Sequence, residues 1–177
     1  MKRPWLNVLP ILLLAACSKS ASPPPSPSGT LDRGGLEIVV GRRVRGDSVA
    51  VSGARFERGW LVSPLSDTGA TWSLRHVRWQ DRDVILLQRV VGSDGAVPVW
   101  TVTDAGRVPQ LPRGHRLATS CGPGTETDPR IFAIVRAGNT ERLAEVRWAW
   151  LANTATGRID TTATLGLQCE NEEMDAP

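Results

Sequence analysis

The sequence predicts a mainly β protein with one antiparallel domain, either sandwich-like or a partly open barrel, over residues 31–177. Its apolar runs are short, rich in Val, Ile, Leu and Trp, and separated by Gly, Asp, Ser and Pro, which is the pattern of strands and turns. A segment of this length can bury roughly two thirds of its unfolded surface, so one hydrophobic core is sufficient.

Four stretches in the first part of the domain predict strands, with a turn at Gly46 and Asp47 after the first of them. These stretches are Leu36–Val44, Ser48–Val51, Arg55–Val62 and Thr71–Trp79. Each is short, contains β-branched or aromatic residues, and is bounded by turn-forming residues.

The clearest strand is Val84–Val91, where only Gln88 and Arg89 interrupt a run of apolar residues. Such a run indicates a strand buried on both faces, or nearly so. The turn-forming residues Ser93, Asp94 and Gly95 then predict a hairpin with a strand over Val97–Val102. A further turn is expected at Asp104, Ala105 and Gly106.

The last part of the domain predicts four further strands and one ambiguous segment. The four strands are Arg116–Ser120, Ile131–Val135, Arg158–Thr162 and Leu165–Cys169. The ambiguous segment, Leu143–Leu151, also fits a helix that begins after Asn139 or Thr140. We favour a strand, because Trp148 and Trp150 at a spacing of two share one sheet face and the turn over residues 153–157 predicts a hairpin.

The first residues have the layout of a secretory signal. Lys2 and Arg3 precede an apolar segment that ends in Leu14-Ala15-Ala16-Cys17. These last four residues resemble the lipobox of bacterial lipoproteins. The resemblance implies a signal peptide over residues 1–16 and a mature chain that begins with Cys17, acylated on its sulfur and usually on its amine. The alternative is an ordinary cleaved secretory signal, which Ala15 and Ala16 would also suit.

The segment after Cys17 predicts a tether, because residues 18–30 contain only Ser, Pro, Ala, Lys, Gly and Thr. In the lipoprotein family an Asp after the lipidated Cys favours the inner membrane, whereas Ser18 stands there in this chain. The resemblance therefore implies an outer-membrane anchor with the domain facing the periplasm. Two or three acyl chains would hold the protein stably at the bilayer.

The charge distribution does not indicate nucleic-acid binding. The formal net charge is +3 and falls to +1 once Lys2 and Arg3 are removed with the leader. Basic residues of the domain are all arginines, and they form no concentrated patch with interleaved aromatic residues. The acidic end of the chain, residues 170–175, is expected to be solvated.

Cys121 and Cys169 are the two cysteines that remain when Cys17 is lipidated, and in an oxidising periplasm they predict a disulfide. Two separate buried thiols are the alternative. A thiol nucleophile at Cys121, near His115, is the sharpest enzymatic alternative, but a bridged sulfur could not attack a substrate.

Nothing else in the sequence predicts catalysis, a metal site or a cofactor. His76 and His115 do not lie in a metal-ligand spacing, and no serine has the Gly-x-Ser-x-Gly surroundings of a nucleophile. The carboxylates Asp81 with Asp83, and Glu126 with Asp128, flank turns and are expected to be solvated. A cryptic hydrolase would require a histidine in a cleft beside a carboxylate.

Tryptophan is the unusual residue of the domain, which contains no tyrosine. Indole rings either fill a sheet core or serve as anchors at interfaces, where Trp and Arg contribute most of the binding energy. The candidate binding surface is Arg147, Trp148 and Trp150. We therefore expect a non-catalytic accessory subunit or inhibitor of an envelope protein, with a glycan- or peptidoglycan-binding module as the alternative.

Overall fold

A computed structural model describes residues 29–62 and 70–174, which form strands, turns and loops without a helix. The expected signal peptide, Cys17 and most of the tether lie outside these residues. No helix long and apolar enough to span a membrane is found among the described residues. The strands are β1 Arg43–Arg45, β2 Arg55–Leu61, β3 Trp72–Trp79, β4 Arg82–Asp94, β5 Val97–Arg107, β6 His115–Ala118, β7 Cys121–Pro123, β8 Ile131–Arg136, β9 Arg142–Leu143, β10 Val146–Asn153, β11 Arg158–Thr162 and β12 Leu167–Glu170.

These strands form three antiparallel sheets that pack in layers. The five-stranded sheet has the order β1-β5-β4-β3-β2, the four-stranded sheet β11-β10-β8-β6, and the three-stranded sheet β7-β12-β9. The four-stranded sheet lies in the middle, because its two faces contribute to separate apolar clusters. The predicted mainly β, sandwich-like fold is confirmed.

The main core lies between the five-stranded and four-stranded sheets. One face brings Trp72, Leu74, Ile85 and Leu87, and the other brings side chains of β6, β8, β10 and β11. Phe132 stacks on Trp150 with 5.3 Å between the ring centroids. Large aromatic rings fill much of this interface, as expected for a domain whose only bulky aromatic residues are Trp and Phe.

Strand β4 is buried on both faces, as its apolar run predicts. All five residues from Val84 to Gln88 are buried, and alternate side chains enter the main core and a second cluster on the outer face of the five-stranded sheet. Arg89, by contrast, is exposed. Both faces of β4 are therefore buried from Val84 to Gln88. From Arg89 onwards the strand lies at the surface.

The predicted strands Leu36–Val44 and Ser48–Val51 are largely wrong. Only β1 forms, and residues 34–41 make successive turns in which Gly35 and Gly41 have φ values of 73° and 83°. Buried Leu36, Val39 and Val51 nevertheless cover the outer face of the five-stranded sheet. The apolar residues of these segments are therefore buried because their turns pack against the sheet, and they do not form a strand.

The turn predicted at Asp104–Gly106 is also wrong, because β5 continues to Arg107 with a bulge at Thr103. The buried Asp104 carboxylate accepts hydrogen bonds from the Ile159 N–H at 2.7 Å and from the Arg33 guanidinium at 2.9 Å. Arg33 also donates to the Ile159 carbonyl at 2.7 Å. These bonds join the amino-terminal segment, the five-stranded sheet and β11.

Burial alone would raise the pKa of Asp104, but hydrogen bonds from Arg33 and from two backbone N–H groups stabilise the charged carboxylate and lower its pKa. The hydrogen bond to Asp104 in turn raises the pKa of Arg33. Asp104 is therefore ionised wherever the protein is folded near neutral pH.

The strand alternative for Leu143–Leu151 is confirmed, with a break in the middle. Arg142 and Leu143 pair with β12, whereas β10 pairs with β8 and β11. A bulge at Arg147 shifts the alternation, so Val146 packs on the three-stranded side while Trp148 and Trp150 face the main core. The predicted hairpin turn closes with Gly157 N–H donating to the Asn153 carbonyl at 2.8 Å.

The predicted disulfide between Cys121 and Cys169 is present, and it joins directly paired residues of β7 and β12. The half-cystines are 48 residues apart, for which the chain-entropy treatment gives about 4 kcal/mol of stabilisation. Next to the bridge a side chain at Gly122 would meet the Glu126 carbonyl oxygen at 2.3 Å, so only glycine fits. Because Cys121 is bridged to Cys169, it has no free thiol that could act as a nucleophile.

Replacing Asp104 with Asn (D104N) should lower the free energy of unfolding by about 2 kcal/mol at pH 7, because the amide lacks the charge that Arg33 and two N–H groups stabilise. The folded-state pKa is depressed, so the wild type keeps this stabilisation above the unfolded pKa of about 3.9 and loses it as the pH falls through the folded-state pKa. Urea denaturation at a series of pH values measures both effects.

The matched control is D94N, which removes an exposed carboxylate paired with Arg45. It should change the free energy of unfolding by less than about 0.5 kcal/mol. Equal losses in D104N and D94N, or a difference between wild type and D104N that does not shrink in acid, would show that Asp104 is not the structural carboxylate.

Candidate functional site

The predicted binding surface lies mostly inside the protein. Trp150 is fully buried, and its Nε1 donates to the Gly29 carbonyl at 2.6 Å. Trp148 is 9% exposed and contacts Gly29, where an added Cβ would lie 2.7 Å from the indole. Only Arg147 is at the surface, with its guanidinium over the Trp148 ring. The expectation of an exposed indole at Trp148 or Trp150 is therefore corrected: both rings hold the start of the domain in place.

Arginine covers most of the tryptophans in the described part of the chain. Four of its six indole rings have a guanidinium carbon within 6 Å of the ring centroid, at distances of 4.8 to 5.9 Å. The pairs are Arg89 with Trp72, Arg107 with Trp79, Arg75 with Trp100, and Arg147 with Trp148. Cation–π contacts of this kind stabilise the pair while they leave the indole face covered.

Of the two histidines, His76 is paired with a carboxylate and His115 with a backbone carbonyl. His76 Nε2 lies 2.8 Å from Asp83 Oδ1, in a cleft, as a hydrolase of this kind would require. Asp83 also accepts hydrogen bonds from Arg78 at 3.0 and 3.1 Å, and no described Ser, Thr or Cys side chain is hydrogen-bonded to the imidazole. Among the described groups, the His115 imidazole is hydrogen-bonded only to the Arg113 carbonyl. The pair is best explained as a cross-strand contact between β3 and β4.

The two carboxylate pairs considered from the sequence, Asp81 with Asp83 and Glu126 with Asp128, show no contact between their members among the described hydrogen bonds. Asp128 binds Arg130 through both of its oxygens, and this hydrogen-bonded ion pair lowers the pKa of Asp128. Within residues 29–62 and 70–174 there is no group of three or more His, Cys, Asp or Glu side chains that could hold a metal ion.

A groove of about 680 Å³ lies between residues of β3, β4 and β5 and the turn that joins β10 to β11. Its floor is Trp72, Thr103 and Asp104. One wall is the β10–β11 turn, and the other is the turn segment around Glu37 and Val40. We call this the arginine groove, because Arg89 and Arg158 stand on its rim. Gly157 brings the hairpin turn against Trp72 and Thr103, with an added Cβ only 3.5 Å from each.

Some charged groups of the arginine groove have an ion-pair partner among the described residues and others do not. Asp104 is neutralised by Arg33, as described above. Arg89 and Arg158 are both exposed, and neither has an ion pair with any described carboxylate. Across the sheet, Thr101 is the register partner of both Arg89 and Arg43, so these three residues share one face. The lining of the groove combines the guanidinium groups of Arg89 and Arg158 with threonine hydroxyls and with the carboxylates of Glu37 and Asp104.

A second basic cavity, about 510 Å³, lies between the two large sheets near the other end of β3. We call it the His76 cleft. Its arginines are already paired: Arg58 with Glu172 at 2.5 Å and Arg116 with Glu173 at 2.7 Å. Glu172 and Glu173 are exposed, as expected of the acidic end, but both are ion-paired, with Arg58 of β2 and with Arg116 of β6.

Comparison with protein families, with curated proteins and with solved structures finds no match for this chain. The candidate site therefore stands on its geometry. Sequence reasoning missed Arg89 and Arg158, although Arg89 is visible as the charged residue that ends the apolar run of β4. Arg158 carries no comparable signal, because its neighbours in space come from β3, β4 and β5.

Proposed function

We propose that this chain is a lipid-anchored lipoprotein of the cell envelope whose domain binds an acidic segment of an envelope protein in the arginine groove. The binding is non-catalytic, and the chain acts as an accessory subunit or an inhibitor of that partner. The observation that carries the proposal is the pair Arg89 and Arg158, which face one concave surface without a described carboxylate partner.

The anchor rests on the sequence. Cys17 follows the lipobox-like residues Leu14, Ala15 and Ala16, and the next residue, Ser18, supports the outer membrane over the inner membrane. The domain is held from Gly29 onwards by Trp148 and Trp150. A tether between Cys17 and Gly29 would span at most about 40 Å, at roughly 3 Å per residue, so the domain would stay near the bilayer.

The ligand chemistry follows from the arginines. A guanidinium presents a planar set of donors that matches a carboxylate, and arginine is enriched at protein interfaces. The His76 cleft shows this chemistry within the same molecule, since Arg58 and Arg116 there hold Glu172 and Glu173. In the arginine groove Arg89 and Arg158 have no such ion pair among the described residues, which leaves them able to bind a carboxylate of a partner.

The glycan-binding alternative is less well supported. Sugar rings stack on exposed aromatic faces, and the described tryptophans are buried or half-buried, most of them under arginines. Trp72 in the floor of the groove is 7% exposed and lies beneath Arg89. The groove thus favours a charged ligand over a stacked sugar.

Substitution of Cys17 by Ala (C17A) should release the domain from membranes into the soluble periplasmic fraction, because lipidation requires the thiol. Fractionation of cells followed by immunoblotting measures the distribution. A variant with Ser18 replaced by Ala is the matched control and should stay in the membrane fraction. Retention of C17A in membranes after a salt wash would contradict the lipid anchor.

Binding in the arginine groove should be visible as a photo-crosslink from position 101, beside Arg89. A photoreactive residue is needed because the domain has no lysine for amine-reactive reagents. We expect one discrete adduct in cells, reduced at least tenfold in the double variant R89A/R158A. Each arginine contributes a charge-assisted contact worth about 1.5 to 3 kcal/mol.

Two controls make this result specific. R82A/R113A removes two other exposed arginines that have no described ion pair and should leave the adduct unchanged. A photoreactive residue at Leu165, which is 97% exposed, should give no such adduct. An adduct that persists in R89A/R158A, or none at position 101, would contradict the proposal.

A further inference from the structure

The segment Asn171–Glu173 is held beside the His76 cleft by an ordered set of contacts. Asn171 is 4% exposed, and its amide donates to the carbonyls of Gly138 and Thr140 at 3.0 and 2.8 Å. Arg116 donates to the Asn171 side chain and pairs with Glu173. The segment Asn171–Glu173 is therefore held by specific hydrogen bonds as well as by charge.

Glu172 is held by two side-chain donors. It receives hydrogen bonds from Arg58 Nη1 at 2.5 Å and from the Thr119 hydroxyl. Arg58 is itself fixed by a second bond, from Nη2 to the Leu117 carbonyl at 2.9 Å. Because this second bond does not involve Glu172, it orients the Arg58 guanidinium towards a carboxylate ligand.

The glutamates lie at the rim of the cleft and do not fill it. The side chains of Glu172 and Glu173 are 43% and 69% exposed, and the cleft that they help to line has an open volume of about 510 Å³. The interior is lined by Val108, Leu111 and Leu117, next to the His76–Asp83 pair. A cavity that combines an apolar interior with a rim of arginines has the form of a peptide-binding site.

We propose that the His76 cleft is a second docking site, specific for a peptide segment with an Asn-Glu-Glu type sequence, and that residues 171–173 are its displaceable resident ligand. The occupant is an acidic segment supplied by a partner protein. This site is separate from the arginine groove, and the inference does not rest on the function proposed for that groove.

The resident segment sets how strongly a partner must bind. A ligand that is covalently part of the chain competes at an effective concentration that reaches the millimolar range for short connections. A partner segment therefore binds the intact chain weakly unless it makes further contacts in the open apolar part of the cleft. Removing the charges of the resident segment should strengthen binding in trans.

The test uses the full chain with the arginine groove silenced by R89A/R158A, so that any binding reports on the His76 cleft. The probe is a fluorescent peptide with the sequence of residues 170–175, followed by fluorescence anisotropy. We expect at least tenfold tighter binding when the resident glutamates are neutralised by E172Q/E173Q. The matched control, E126Q/E145Q, removes two carboxylates elsewhere and should give no gain.

Two further measurements connect the gain to the cleft. T119V, which removes the hydroxyl that donates to Glu172 and keeps the side-chain shape, should weaken the peptide in the E172Q/E173Q background by at least fivefold. A peptide in which the glutamates that match Glu172 and Glu173 are replaced by Gln should not bind. Circular dichroism verifies that each variant is folded.

The proposal is overturned if the folded E172Q/E173Q chain binds the peptide no better than the E126Q/E145Q chain. It is also overturned if T119V leaves the affinity unchanged. Because the arginine groove is silent in every sample, either failure leaves the function proposed for that groove untouched. Failure of the photo-crosslink from position 101 would likewise say nothing about the cleft.

Discussion

The structure depends on a buried carboxylate. Asp104 lies in the middle of β5, where it receives hydrogen bonds from Arg33 and from the Ile159 backbone. An isolated carboxylate in this position would be costly to bury, so the ion pair and the N–H donors have to be in place together. The result is one network that fixes the amino-terminal segment, the five-stranded sheet and the β10–β11 hairpin relative to one another. The same network builds the floor and one wall of the arginine groove.

A second constraint is the choice of residues that fill and cover the core. The chain has no tyrosine, and its only lysines, Lys2 and Lys19, precede the domain. Tryptophan therefore supplies the aromatic bulk, and arginine covers those indole rings that reach the edge of a sheet. Arginine has a long apolar stem and a planar charged head, which suits this position better than a compact ammonium group. Arg89 lies over an indole and also borders a cavity. The same guanidinium can therefore cover the core and bind a ligand.

Sequence patterning predicts the strands well where side chains alternate within one sheet. Val84–Val91 and the hairpin around Gly95 are examples, because the residues themselves carry the strand and turn preferences. Leu36–Val44 fails, since buried Leu36 and Val39 belong to a turn-rich cover that contacts the sheet from outside. Asp104 fails for a related reason: an Asp before Ala and Gly is typical of a turn, and only the distant Arg33 and Ile159 make it a strand residue. Trp148 and Trp150 are correctly placed on one face of a strand, but alternation cannot show that this face lies against another sheet.

The candidate site illustrates the same limit. Arg89 ends a long apolar run and so attracts attention in the sequence, whereas Arg158 and Thr103 join it only through the sandwich. The contrast between the two basic cavities is equally invisible before folding. One has its arginines paired with Glu172 and Glu173, and in the other neither Arg89 nor Arg158 has an ion pair with a described carboxylate. We propose that the arginine groove is where the protein binds carboxylates of a partner. The most direct measurement is a nuclear magnetic resonance titration of the ¹⁵N-labelled full chain with a hexaglutamate peptide. We expect amide shifts concentrated at residues 89, 101–103 and 154–158, with little change near Arg58 and Arg116. Shifts spread evenly over the surface, or absent from the groove, would contradict it.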